Sequence, residues 1–332
     1  MTGRVVVVTG ASAGVGRATT RAFAAKGDRV GLLARGIDGL EATRRELEAA
    51  GVRACAVPVD VADAEGVEAA AGRVEDDLGP IDVWINNAMT AVLAPVAETT
   101  ADEFRRVTEV TYLGYVHGTL AALRRMRSRD RGVIVQVGSA LAHRAIPMQA
   151  TYCAAKHAVR GFTDAVRTEL RHDGSRVKIS LVQLPGLNTP QFGWVKTTLR
   201  RHPRPVPPVY QPDVAARAIV WAAAHPRREI YVGAPTAPLV WASRLVPGLV
   251  DRYLARTNYE AQQLPDPIDP GRPSYLWEPL PGDHGAHGIF DDEARDRSLQ
   301  WQLARAVPAL TPVGSVLAAA AVWQARRRGR GR

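Results

Sequence analysis

The sequence predicts an α/β fold, a doubly wound parallel sheet with helices on both faces. Three observations carry that reading. Short β-branched runs alternate with helical patterns through the first two-thirds of the chain, the first run ends in a glycine-rich turn that opens a helix, and polar residues collect at the carboxyl ends of the runs.

Val5–Val8 is a continuous β-branched run, the pattern of a strand buried on both faces. It leads into Thr9-Gly10-Ala11-Ser12-Ala13-Gly14-Val15-Gly16-Arg17, after which Val15, Ala18, Ala22 and Ala25 recur at helical spacing. Strand, glycine turn and helix form the context that a dinucleotide-binding motif requires. Gly10 permits the tight turn, Gly14 lets backbone approach a pyrophosphate, and Gly16 allows close packing. The free N–H groups and the helix dipole then favour an anion, with Ser12 and Val15 as further contacts. Arg29–Ala34 supplies a second strand with Arg35 at its carboxyl end. An acid there would accept hydrogen bonds from the adenosine ribose, whereas an arginine pairs with a 2′-phosphate, so NADP is expected over NAD. Arg17 is either a second positive group or a solvated helix residue.

The alternation continues with a helix over Ile37–Ala50, a strand at Arg53–Pro58 leading to Asp60-Val61, and a helix over Ala64–Leu78 broken by Gly79-Pro80. Ile81–Ile85 is a strand ending in Asn86-Asn87-Ala88-Met89, where the asparagines by themselves read as partners of exposed backbone groups. Thr99–Met126 reads as one long helix, with Asp102 and Glu103 in its first turn and Arg124, Arg125 and Arg127 at its close, as the macrodipole prefers. Gly132–Gly138 is a strand that delivers Ser139 at its carboxyl end, where open α/β sheets bind ligands. A helix carries Tyr152 and runs to about Arg171, and the strand Val177–Leu184 ends in Pro185-Gly186-Leu187-Asn188-Thr189-Pro190. Residues 197–212 hold Pro203, Pro205, Pro207, Pro208 and Pro212 and read as a loop over the mouth of a site. Asp213–Ala224 is a helix and Glu229–Val232 a last strand.

The chain has 332 residues, enough for one large domain plus an extension; 46% are hydrophobic and 23% charged. Half of the net charge of +10 sits in Arg326, Arg327, Arg328, Arg330 and Arg332, so the body is only mildly basic. That tail has no aromatic platform or recognition motif behind it, so no nucleic-acid partner is expected. Cys55 and Cys153 lack metal or redox spacing, and no signal-peptide core precedes the first strand; a cytoplasmic protein is expected. Asp283-His284-Gly285-Ala286-His287 lacks a convincing third ligand, so no metal is expected.

Tyr152 and Lys156 are four apart, on one face of a helix. A phenol with a pKa of about 10 becomes useful near neutral pH only with roughly 4 kcal/mol of differential stabilisation of the phenolate, much of which a neighbouring ammonium can supply. With Ser139, these side chains place a hydroxyl, a phenol and an ammonium where one carbonyl could meet all three.

At this point the residues match a family. Thr9-Gly10-x-x-x-Gly14-x-Gly16, Asp60-Val61, Asn86-Asn87-Ala88, Ser139, Tyr152-x-x-x-Lys156 and Pro185-Gly186 resemble the motifs of the short-chain dehydrogenase/reductases, in the family's order and spacing over roughly residues 3–235. The resemblance implies a seven-stranded Rossmann-like sheet and hydride transfer between NADP(H) and a carbonyl or secondary alcohol. It implies that Tyr152 is the acid in reduction and the base in oxidation, that Lys156 lowers its pKa and holds the nicotinamide ribose, that Tyr152 as well as Lys156 is a cofactor-binding residue, and that Ser139 binds the substrate oxygen. Asp60 and Val61 would contact the adenine, Asn87 and Ala88 would line the cleft, and Pro185, Gly186 and Thr189 would border the nicotinamide. Two positions depart from the pattern. Met89 stands where many members have glycine, and Thr111 replaces an asparagine that supports a proton relay. Thr111 is kept as a candidate catalytic helper. The alternative function, with Thr111 as its best support, is an NADP-binding scaffold or sensor with little turnover.

The residues expected to face a substrate, Met89–Leu93, Leu141–His143, Ile146–Met148 and Leu187–Trp194, are mostly apolar and suggest a lipophilic ketone, aldehyde or alcohol. Residues 1–235 are expected to form the NADP-binding domain, and 236–332 a mainly helical and irregular C-terminal extension. Within the extension, two short amphipathic helices are read over Leu239–Leu254 around Pro247-Gly248, and Pro265–Gly288 is irregular. Leu303–Trp323 is apolar and abuts the arginine tail, which makes this region the candidate for peripheral membrane contact. A homo-oligomer is expected.

Overall fold

A computed structural model describes residues 3–233, 242–269 and 271–306. Among these, seven strands make one parallel sheet: β1 (Val5–Thr9), β2 (Arg29–Ala34), β3 (Ala54–Pro58), β4 (Val83–Asn86), β5 (Val133–Ser139), β6 (Lys178–Leu184) and β7 (Glu229–Tyr231). The spatial order is β7-β6-β5-β4-β1-β2-β3. The helices of the core are α1 (Gly14–Ala24), α2 (Ile37–Ala49), α3 (Ala64–Leu78), α4 (Ala101–Thr108), α5 (Gly114–Ser128), α6 (Ala150–His172) and α7 (Pro212–Ala224).

The uninterrupted valines of β1 follow from its central position. Val6 and Val8 pack with Phe23, Leu32 and Ile219 on one face, while Val5 and Val7 pack with Val74, Trp84 and Ile134 on the other. Neither face can accept a polar residue, so no alternation develops. From β1 the chain builds outward through β2 and β3, then returns to place β4 on the other side of β1. Strand order reverses there, and the carboxyl ends diverge into a crevice.

The long helix differs in one respect from its sequence reading. It starts on a capping box between Thr100 and Glu103, but Glu109–Leu113 is a widened π-turn between α4 and α5. Thr111 lies at its centre, with its hydroxyl turned onto the backbone of Thr90, to which it donates at 2.7 Å.

Two further readings are corrected. The stretch 197–212 is not all loop, because Arg201–Pro203 pairs antiparallel with Gln263–Pro267. Proline is tolerated in so short a ribbon because few of its N–H positions face a partner. The helix that Pro247 opens, α8, also runs further than expected, to Ala261. A last helix, α9, covers Leu299–Ala306. The apolar, arginine-capped stretch that suggested membrane contact lies outside the described residues from 307 onward; among the described residues no helix is long and apolar enough to cross a membrane.

Candidate active site

The crevice at the carboxyl ends of β1, β2, β4, β5 and β6 is a cavity of about 410 Å³. Of the residues singled out from sequence, Gly10, Ser12, Gly14, Val15, Arg35, Asp60, Val61, Asn87, Ala88, Ser139, Tyr152, Lys156, Pro185, Gly186 and Thr189 all line it. Gly16 and Thr111 do not. Gly16 acts by absence of a side chain, since a Cβ there would lie 1.9 Å from the Gly10 carbonyl oxygen. Thr111 is fully buried, and its hydroxyl accepts from the Thr90 N–H at 2.9 Å as well as donating to the Thr90 carbonyl. Both functions of that hydroxyl are spent on fixing the segment after Met89.

The glycine turn has the backbone expected of an anion site. Gly14 has φ +55°, and Ala13 at the helix N-cap offers no side-chain hydrogen bond to the first turn of α1. Asn87 is tied to the neighbouring strand, donating from Nδ2 to the Thr9 carbonyl at 2.9 Å, and so fixes the divergence of β1 from β4. Asn86 is entirely internal, bonded to Gln136 at 2.8 Å and Thr119 at 3.1 Å. Asp60 accepts from Ala62 N–H at 3.0 Å and pairs with Arg106. The Thr189 hydroxyl is buried in the cleft with no hydrogen-bond partner among the described residues. An orphaned hydroxyl and a helix start without a side-chain cap, side by side, suit a ligand that brings both acceptors and negative charge.

At the other end of the cleft Ser139 and Tyr152 line one wall, and the Ser139 hydroxyl accepts from Leu141 N–H at 3.2 Å. Lys156 lies below, its Nζ 5.6 Å from the Tyr152 ring centre. Burial dominates both titrations. It pushes the Tyr152 phenol well above its ordinary value, against the opposing influence of the nearby Ser139 hydroxyl, and draws Lys156 down to about 7. Burial thus works against the charged form of each group.

Several cleft residues were not anticipated, and most come from the extension. Arg35 donates one guanidinium hydrogen to the Trp277 carbonyl at 2.6 Å and another to the Tyr275 carbonyl. Asp38 accepts from Gly282 N–H at 2.7 Å, and Gly14 N–H donates to the Gly285 carbonyl at 3.0 Å. On the far side Asn188 donates to Asp291 at 2.7 Å and accepts from Phe290 N–H at 3.0 Å. The segment from Tyr275 to Asp291 is thus a strap across the cleft, and Tyr275, Leu280, Gly282 and His284 line it. Arg17 does not line the cleft, and it is not solvated. It is 5% exposed and is held by Glu46 at 3.1 Å and by Asp283 of the strap. His143 is likewise withdrawn from substrate, paired with Glu229 at 2.9 Å. Asp283, His284 and His287 do not converge, being engaged with Arg17, Trp194 and Asp213 respectively, and no metal-holding group of three occurs among the described residues.

Comparison with known proteins accords with this geometry. Residues 4–198 match the sequence model of the family described as short chain dehydrogenase. The chain belongs to that family. As a short-chain dehydrogenase it is 30% identical over 329 residues to the uncharacterized oxidoreductase YxnA of Bacillus subtilis, covering 98% of this chain and 91% of the relative. It is 35% identical over 181 residues to dehydrogenase/reductase SDR family member 7B of Rattus norvegicus, but that match spans 53% of this chain and 56% of the rat protein. Among solved structures, the alcohol dehydrogenase of the archaeon Thermococcus sibiricus, complexed with 5-hydroxy-NADP, superposes with a TM-score of 0.60 at 28% identity, covering 69% of this chain and 95% of that one. The short-chain dehydrogenase core is thus an oxidoreductase scaffold of the NAD(P)-binding type.

Proposed function

We propose that this short-chain dehydrogenase transfers hydride between NADP(H) and the carbonyl or secondary alcohol carbon of a lipophilic small molecule. Residues 1–235 would form the catalytic core, and the strap from the extension would cover the cofactor. The observation that carries the reading is the convergence of Ser139, Tyr152 and Lys156 on one wall of the cleft, with the Lys156 Nζ 5.6 Å from the Tyr152 ring centre. When bound, the nicotinamide dinucleotide supplies the hydride donor or acceptor. The chain does the rest. The first turn of α1 and the Thr189 hydroxyl offer donors to the anionic and polar parts of the cofactor, and Ser139 and Tyr152 bind the substrate oxygen. In reduction Tyr152 gives its phenolic proton to that oxygen, and in oxidation it takes the proton back. A charged Lys156 favours the phenolate left behind.

NADP is favoured over NAD by the environment of Arg35. Its guanidinium is held by two neutral carbonyls and by no carboxylate ion pair among the described residues, which leaves a net cation beside the cleft for a 2′-phosphate. The T. sibiricus structure, with its NADP derivative, points the same way. A lipophilic substrate is favoured by the apolar side chains of Met89, Leu93, Leu141, Ile146 and Trp194 around the pocket.

The test is NADPH oxidation against a panel of apolar ketones and aldehydes, and NADP reduction against the matching alcohols, with Tyr152→Phe alongside. Turnover by the wild type that collapses in the variant is expected. Tight cofactor binding with no turnover across the panel would instead favour the scaffold or sensor reading, and equal turnover by both proteins would refute the role of Tyr152.

A further inference from the structure

Lys156 is 2% exposed on α6, yet no carboxylate pairs with it among the described residues, and burial works against its charged form. A buried ammonium of this kind needs fixed acceptors. Two are present. Nζ donates to the Val137 carbonyl of β5 at 2.8 Å and to the Tyr115 hydroxyl of α5 at 2.8 Å. Tyr115 closes the triangle by donating its own hydroxyl hydrogen to the same Val137 carbonyl at 2.9 Å. Its ring also covers the cation, with Nζ 4.4 Å from the ring centre.

Tyr115 is itself rigidly placed. It is 1% exposed, and its backbone carbonyl accepts from the buried Asn86 amide at 3.3 Å. The π-turn Glu109–Leu113 lies immediately upstream and sets the register in which α5 presents this side chain to α6. Thr111, one turn earlier, faces Thr90 and makes no hydrogen bond to Lys156.

We infer that Tyr115 is a positioning residue for Lys156, whose hydroxyl fixes the ammonium beneath Tyr152 and favours its charged form. The inference rests on the reading of Lys156 as part of the catalytic group, but its geometry stands without any turnover. A positioning role fits better than a relay. The Tyr115 proton ends on a backbone carbonyl, which cannot pass it on, and the second inward bond of Lys156 ends on that same oxygen. Both inward bonds are therefore closed, and exchange of the Lys156 proton is left to the side facing the cleft. The other titratable group around Nζ is Tyr152, whose phenol burial keeps protonated.

The chain has only four lysines, Lys26, Lys156, Lys178 and Lys196, so protein labelled with ε-¹³C-lysine gives four resolvable titrations, with Lys156→Arg identifying the one of interest. In the cofactor-free wild type, the Lys156 signal is expected to titrate well below the other three. Tyr115→Phe keeps the ring and removes the hydroxyl; it should lower the Lys156 midpoint by about one pH unit, a tenfold loss of ammonium at a given pH. Tyr115→Leu, which also removes the ring, should lower it further. A merely structural role would lower the melting temperature and leave the Lys156 midpoint in place. That result in the Phe variant overturns the inference. If the variants do not fold, a wild-type Lys156 ammonium whose ¹⁵N signal shows the same side-chain mobility and solvent exchange as the other three lysines overturns it by itself. Because these readings need no substrate, their failure is distinct from a failure of the proposed reaction, which the turnover panel with Tyr152→Phe decides.

Discussion

Replacing Arg35 by glutamine separates two jobs that the structure gives to one guanidinium. The first is mechanical: Arg35 donates to the carbonyls of Tyr275 and Trp277 and so pins the strap. Those are charge-assisted but half-buried hydrogen bonds, and glutamine can keep one as a neutral bond, so the loss is about 1–2 kcal/mol. Strap closure affects both cofactors, and NADH and NADPH should each weaken by up to roughly tenfold or somewhat more. The second job is electrostatic and applies to NADPH alone. A partly buried arginine–phosphate contact contributes about 1.5–3 kcal/mol, which converts to an additional ten- to hundredfold loss. The decisive quantity is the ratio of ratios, the variant-to-wild-type change in Kd for NADPH divided by that for NADH, measured by fluorescence titration at fixed ionic strength. It should lie between about 10 and 100. A value near unity would show that Arg35 only anchors the strap, and the assignment of NADP would fall with it.

Tyr152→Phe should lower kcat by a factor of about 10²–10⁴ while leaving cofactor Kd within twofold or so, since the lost group handles a proton rather than the dinucleotide. Gly288→Ala should loosen the strap, because a Cβ there would lie 2.6 Å from the Thr189 carbonyl oxygen and the backbone must give way. A cost of about 1–3 kcal/mol is expected, visible as a lower Tm and as faster NADPH release in stopped-flow displacement. An unchanged release rate would show that the strap does not hold cofactor. Glu229 governs acid stability. Hydrogen bonds from His143, Tyr231 and Gln183 overcome its burial and bring its carboxyl down to about 2 from an ordinary 4.5. Its stabilising contribution is therefore complete above about pH 4.5 and fades as the pH falls toward 2, and Glu229→Gln should flatten the dependence of Tm on pH across that window.

The core was legible because its signals are local. The valines of β1, the glycine turn and the strand-end positions of Arg35, Asn87 and Ser139 each announce themselves within a few residues, and all fell where read. Arg17 was misread because its partners Glu46 and Asp283 are remote in sequence, the second by 266 residues. Tyr115 left a fainter trace, sitting four residues after Thr111 and so on one helical face with it, but nothing local connects it to Lys156 on another helix. The strap was least legible of all. Its contacts to Arg35 and Gly14 run through the carbonyls of Tyr275, Trp277 and Gly285, and a backbone carbonyl has no side-chain signature. The irregular reading of Pro265–Gly288 fails at its start, where Pro265–Pro267 belongs to the ribbon strand Gln263–Pro267, but it holds across the strap, and an irregular segment keeps its backbone groups available for such bonds.

That use of backbone has a consequence for cofactor binding. The Gly14 N–H, a donor the glycine turn would offer to a pyrophosphate, is already satisfied by the Gly285 carbonyl at 3.0 Å. A ligand that claims it must displace that oxygen, so the net gain is one exchanged bond rather than one new bond. Displacement of Gly285 acts on a segment also tied to Asp38 through Gly282 and to Arg17 through Asp283. Cofactor entry is thereby coupled to movement of the strap, and a strap that reseats over the bound molecule recovers its bonds and slows release. The short-chain dehydrogenase match ends at residue 198, whereas the likeness to the B. subtilis oxidoreductase runs over 329 residues and takes in the strap. If the strap sets the rate of cofactor exchange, that relative should share slow NADPH release. Fast release from the relative with its extension intact would break the link between strap and exchange.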